Sequence, residues 1–227
     1  MNEILYQISV LALPVIVAIT FHEAAHGWVA WRLGDDTAYR LGRVTFNPLR
    51  HIDLFGTIIL PAALLLITQG HAMFGYAKPV PVNFGRLHRP RRDMVLVAGA
   101  GPGINLALAL AAAFLIRLAD QAPGAFGQWL GVNLAYAVFF NVVLAVFNML
   151  PLPPLDGGRV AVGILPRPLA MRLARLERYG FLIVVGILFL LPLVGRQLGM
   201  NFDVFGWLVI QPAQWLSTHL LDLAGVQ

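Results

Sequence analysis

Apolar residues gather into windows long enough to cross a bilayer, from about Ile4 to Trp31, Met94 to Leu118, Trp129 to Leu150, Tyr179 to Val194 and Phe202 to Leu221. A sixth stretch, Leu54 to Thr68, is fifteen residues long and contains Pro61, so it falls below a comfortable span. It is followed by Gln69-Gly70-His71 and then by Lys78-Pro79-Val80-Pro81-Val82-Asn83, which predicts extended chain rather than helix. The pattern therefore predicts an all-α polytopic membrane protein, a single domain over residues 1–227 with about five transmembrane helices and a re-entrant segment. Three core helices are expected at about 4–33, 94–118 and 129–150, with additional helices at about 179–194 and 202–221.

Composition supports a bilayer. Of 227 residues, 59% are hydrophobic and 12% charged, against about a quarter charged in soluble domains. There is no cysteine, which removes disulfides, thiolate metal sites and cysteine nucleophiles together. Whatever chemistry occurs uses oxygen and imidazole.

The net charge of +5 acquires meaning from its placement. Nine of the sixteen Lys and Arg lie between Arg32 and Arg92, and five more between Arg159 and Arg178. Clustering in alternate loops is what the positive-inside rule produces, and no exposed aromatics interleave with it, so nucleic acid is not an expected partner. If Leu54 to Thr68 crossed the membrane, the Arg-rich loops flanking it would lie on opposite sides. If it dips in and returns, 32–93 and 151–178 are both cytoplasmic and every loop is satisfied. The chain carries no Lys or Arg before its first apolar run, so that run reads as a retained span rather than a cleaved signal. No long repeat recurs, which weighs against a transporter built from two matching halves.

The first window contains His22-Glu23-Ala24-Ala25-His26. Histidines four apart sit one helical turn apart on one face, so both imidazoles can reach one metal ion with the Glu beside it. Ionisable groups are costly in such surroundings, and three within five residues point to a metal site rather than to isolated hydrogen-bonding histidines. At 1.5 Å per residue, His22 stands on the order of 27 Å along the helix from Ile4, in the cytoplasmic third of the bilayer.

A catalytic zinc usually takes three protein ligands and leaves a position for water. The third is sought among Asp156, His51, His71, Asp53 and Asp93. Asp156 is the best placed, because the prolines of Pro151-Leu152-Pro153-Pro154 end the preceding helix and leave polar groups facing a cavity. Asp-Gly-Gly is equally a turn sequence. Sidedness favours the ligand: in the re-entrant topology Asp156 and the histidines share the cytoplasmic side. That topology also brings Gly101-Pro102-Gly103-Ile104-Asn105 there, with glycines suited to close helix approach and Asn105 as a polar group near the site.

Taken in order, His22-Glu23-x-x-His26, Gly101-Pro102-Gly103-x-Asn105 and Asn148-x-x-Pro151 running into Leu155-Asp156-Gly157 resemble the site-2 proteases, the intramembrane zinc metalloproteases of peptidase family M50. The resemblance covers most of the chain. It implies His22, His26 and Asp156 as Zn2+ ligands, Glu23 as general base, and Asn148 near the substrate carbonyl. Asn105, the polar group near the site, is expected as a second substrate-binding residue. The resemblance also implies short membrane-associated β-strands at Tyr39 to Asn47 and Lys78 to Phe84, whose edge could pair with an unwound substrate. No loop is large enough for a PDZ or CBS module, as in the minimal subgroup. Expected partners are a transmembrane protein substrate and the lipid bilayer, with self-association left open. The expected location is a bacterial or archaeal plasma membrane with the active site toward the cytoplasm. A catalytically inactive metal-binding scaffold and a transporter remain the rival readings.

Overall fold

The computed structural model describes residues 3–67, 75–119, 121–197, 199 and 202–226. Three long helices form its core: α1 (Glu3–Arg32), then, after the short α2 (Thr37–Arg40) and α3 (Leu60–Ile67), α4 (Pro90–Ala119) and α5 (Gly124–Asn148). α1, α4 and α5 pack on one another pairwise. Their contacts are made largely by small residues, with Ala18, Ala30, Ala109 and Ala113 fully buried. Lipid tails are as apolar as Leu, so close backbone approach through such residues is what draws helices together in a bilayer. Leu5, Ile8, Phe114, Leu115 and Leu118 face outward, as a lipid-facing surface requires.

The helix ends follow local chemistry. α1 runs out at Gly34, whose φ of +110° a residue with a Cβ rarely adopts. α4 opens with Pro90 at its first position, and the Asp93 carboxylate accepts from the Arg89 N–H at 2.7 Å.

Among the described residues, three helices rather than five are long and apolar enough to cross a membrane: those of the first three windows. The window at 179–194 folds as α8 (Glu177–Val185), a π turn at Gly186–Leu190 and α9 (Leu191–Gln197). The last window folds as a π turn at Gly206–Ile210 followed by α10 (Gln211–Ala224), which packs on α4 and α5. Prolines account for the interruption. Each π turn among the described residues, including Leu54–Ile59, ends two residues before a proline: Pro61, Pro192 or Pro212. A proline has no N–H and its ring crowds the carbonyl four residues back, so the ladder widens locally. Pro14 and Pro102 are carried inside α1 and α4 without this change.

The expected β-strands are likewise absent among the described residues. Tyr39 and Arg40 close α2, the chain then turns through Gly42 at φ +63°, and residues 75–83 have no regular structure. Pro79 and Pro81 deprive the second segment of the N–H groups that a ladder needs. Its remaining polar groups are met individually. Lys78 N–H donates to His51 O at 2.9 Å, the Arg43 guanidinium donates to Lys78 O at 2.8 Å, and Asn83 N–H donates to the buried Asp35 carboxylate at 2.6 Å.

This segment also shows where the sixth apolar stretch goes. After the π turn at Leu54–Ile59 and α3, the chain is back beside its starting point by Tyr76, whose N–H donates to Gly56 O at 3.0 Å and whose carbonyl accepts from the Thr57 hydroxyl at 2.9 Å. A Cβ at Gly56 would overlap the Tyr76 ring. Gly56 and Tyr76, on either side of the stretch, are therefore neighbours; residues 68–74, including His71, lie outside the described residues.

Beyond α5, the proline run leads into α6 (Asp156–Ile164), which packs on α4, and then α7 (Arg167–Arg175). Side chains at Gly157 and Gly158 would collide with the backbone of Met149 and Pro153. The two glycines thus let the start of α6 tuck beneath the end of α5.

Candidate metal centre

His22 and His26 lie one turn apart on α1, 7% and 9% exposed, with their Nε2 atoms 3.0 Å apart. α6 brings Asp156, its first residue, against them: Asp156 Oδ2 is 3.2 Å from each Nε2. The sequence separates these groups by more than 120 residues; folding places their ligand atoms within 4.8 Å of one another.

The hydrogen-bond pattern tests whether a metal fits. His26 Nδ1 is 2.7 Å from Val97 O, a carbonyl that can only accept, so this nitrogen carries the hydrogen. His22 Nδ1 is 2.6 Å from Asn105 Oδ1, and it too donates. With both Nδ1 positions committed as donors, neutral rings present two Nε2 lone pairs to each other and to a carboxylate oxygen. Asp156 Oδ2 is buried without a hydrogen-bond partner. One added proton could satisfy only a single contact among the three acceptors; one cation satisfies all of them. Ligands about 2.0–2.1 Å from a tetrahedral ion stand on the order of 3.3 Å apart, close to the 3.0–3.2 Å found here.

Space for this arrangement depends on Gly101 of α4. A Cβ there would come within 2.6 Å of His22 Nε2 and would also overlap His26. Glu23 points beside the cluster, and its Oε2 accepts the Val80 N–H at 2.7 Å. His22, Glu23, His26, Asp156 and Asn148 line a cavity of about 370 Å³, together with Pro79, Val80 and Val82.

The other candidates are occupied elsewhere. His51 Nε2 hydrogen-bonds Thr45 O, Asp53 receives the Gly56 N–H, and Asp93 caps α4. Asn148 reaches the cavity while donating to Leu144 O at 3.0 Å. Asn105 is not among the residues that line the cavity. It is fully buried behind His22, held by Ala18 O and by Asn141. Sequence reasoning missed Asn141 and the backbone groups of Val80 and Val97. Asn141 lies in an apolar run, where a polar side chain is the available signal; the backbone groups leave none.

A model of peptidase family M50 matches residues 115–193. The chain is 41% identical over 187 residues to "Putative zinc metalloprotease YwhC" of Bacillus subtilis, covering 81% of each chain. It is 32% identical over 212 residues to "Putative zinc metalloprotease Rip2" of Mycolicibacterium smegmatis, covering 92% of this chain and 76% of the relative. A shorter likeness, 42% over 64 residues, covers 28% of this chain and 31% of "Putative zinc metalloprotease MJ0611" of Methanocaldococcus jannaschii. No solved structure matches it.

Proposed function

Because the chain belongs to peptidase family M50, and so is a membrane metalloprotease, we propose that it hydrolyses peptide bonds within transmembrane segments of other proteins, with zinc held by His22, His26 and Asp156 and with Glu23 as general base. One observation carries this reading: three buried acceptors converge on a point beside a glutamate at the wall of a cavity. Bound there, zinc would polarise the scissile carbonyl and bring the pKa of water to about 7.

The chain's own residues do the rest. The Val80 N–H fixes one Glu23 oxygen, leaving the other to take a proton from water and return it to the leaving amine. Asn148 uses one amide hydrogen on Leu144 O and has a second to offer a substrate carbonyl. Leu144, Phe147 and Phe181 supply apolar lining for a substrate side chain. A substrate helix must unwind there, since its peptide bonds are otherwise hydrogen-bonded and shielded. The re-entrant stretch and the placement of Lys and Arg support a site opening to the cytoplasmic side of a prokaryotic plasma membrane.

The test is reconstitution. Purified protein in liposomes, supplied with zinc and a model transmembrane peptide, is expected to cleave the peptide, to stop on chelation and to resume on zinc readdition. Metal binding without cleavage of any of a panel of peptides supports the inactive scaffold, and metal-dependent flux without proteolysis supports a transporter.

A further inference from the structure

Buried asparagines are unusual within apolar helices, because each amide hydrogen or lone pair left unpaired is costly there. Asn105 of α4 and Asn141 of α5 are 0% and 2% exposed, and their side chains meet. Both have fixed flip states. Asn141 Nδ2 donates to Ala137 O at 2.8 Å; since a carbonyl can only accept, Asn141 Oδ1 must be the atom turned to Asn105. It accepts from Asn105 Nδ2 at 2.7 Å, and the same Nδ2 donates to Ala18 O at 3.1 Å. Both amide hydrogens of Asn105 are then used, and its Oδ1 is left facing His22 Nδ1 at 2.6 Å.

We propose that this Asn141–Asn105 relay sets the tautomer of His22 and so prepares it as a metal ligand. Asn141 Oδ1, at the shorter distance, and Ala18 O together lock the Asn105 amide, Asn105 Oδ1 accepts the Nδ1 hydrogen of His22, and the Nε2 lone pair is thereby directed at His26 and Asp156. The relay joins all three core helices. With Asn105 flipped, its Nδ2 would meet His22 Nδ1, and the ring would carry its hydrogen on Nε2, where no metal can bind. Asn105 and Asn141 are positioning residues. The proposal rests on the metal reading above, and outer partners of this kind typically matter about 10- to 100-fold in metal affinity.

A mutant cycle on the full-length protein in detergent tests it, reading zinc affinity by competition with a chromophoric chelator, the ligand-field spectrum of the Co2+ form, and the melting temperature. Asn141→Leu, a change that touches neither His22 nor the cavity, is expected to weaken zinc about 10- to 100-fold and to alter the Co2+ bands. In an Asn105→Asp background both side-chain oxygens accept, so no flip can misdirect His22. There, adding Asn141→Leu should change affinity by no more than about threefold, the scatter of independent sites. Asn105→Leu, which severs the relay without a buried charge, gives a second background in which Asn141→Leu should add no further loss. Native affinity in Asn141→Leu, or the same loss in every background, overturns the relay while the metal site stands. Absence of zinc binding by the wild-type protein overturns the metal site itself, and the relay with it.

Discussion

The Val80 N–H donates to Glu23 Oε2 at 2.7 Å, tying the ionisable turn of α1 to the irregular segment at residues 75–83. Glu23 is thereby held in one orientation beside the cluster formed by His22, His26 and Asp156, in a wall of the same cavity. Two parts of the chain more than fifty residues apart thus share one site.

Glu23→Gln keeps the shape of the side chain and its acceptor for Val80 but cannot take a proton. It is expected to retain near-stoichiometric zinc by elemental analysis while losing cleavage by about 10²- to 10⁴-fold. Cleavage near the wild-type rate would remove Glu23 from the role of base.

Gly101→Ala separates fold stability from site integrity. On helix propensity alone, Ala is better than Gly by about 1 kcal/mol, yet its Cβ would lie on His22 and His26. The variant should stay folded and monodisperse but bind zinc far more weakly. Native zinc content would show that α4 does not hold the histidines as closely as described.

Asp35 organises the approach to the site without touching it. Its buried carboxylate accepts from Thr37 N–H, Thr37 hydroxyl and Asn83 N–H. Asp35→Ala leaves those donors unmet at a cost of about 1–3 kcal/mol. A lower melting temperature and faster limited proteolysis near residues 75–83 should follow, with Asp35→Asn milder in both. An unchanged digestion pattern would contradict this anchoring.

Orientation can be read directly, because the chain has no cysteine of its own. Single cysteines at the exposed positions Arg50, Arg89 and Gln121 should react with a membrane-impermeant maleimide so that 50 and 89 label from one side and 121 from the other. In inverted vesicles 50 and 89 should be the accessible pair. Labelling of 50 and 89 from opposite sides would mean that the stretch beginning at Leu54 crosses.

Much of the site was legible in the sequence because it obeys short-range rules. Two histidines four residues apart must share a helical face, and Asp156, favoured by its place after the proline run and by the charge pattern, is the carboxylate that meets them. The strand expectation failed because Lys78 to Asn83 is extended in character but carries two prolines, so its backbone is satisfied by His51, Arg43, Glu23 and Asp35 instead of by a partner strand. The last two apolar windows have the composition of spans, but prolines break their helices into shorter pieces. Asn105 meets His22 but is not among the residues that line the cavity: which face of α4 meets His22 depends on how three helices pack, and no local pattern records that.

The proposed function stands or falls on whether His22, His26 and Asp156 together bind a catalytic zinc. Crystals of the zinc-loaded Glu23→Gln protein, with diffraction collected on either side of the zinc absorption edge, test it most directly. One anomalous peak is expected, at about 2.0–2.2 Å from His22 Nε2, His26 Nε2 and an Asp156 carboxylate oxygen. A zinc-loaded crystal whose peak lies elsewhere, or contacts the histidines with Asp156 turned away, would contradict it.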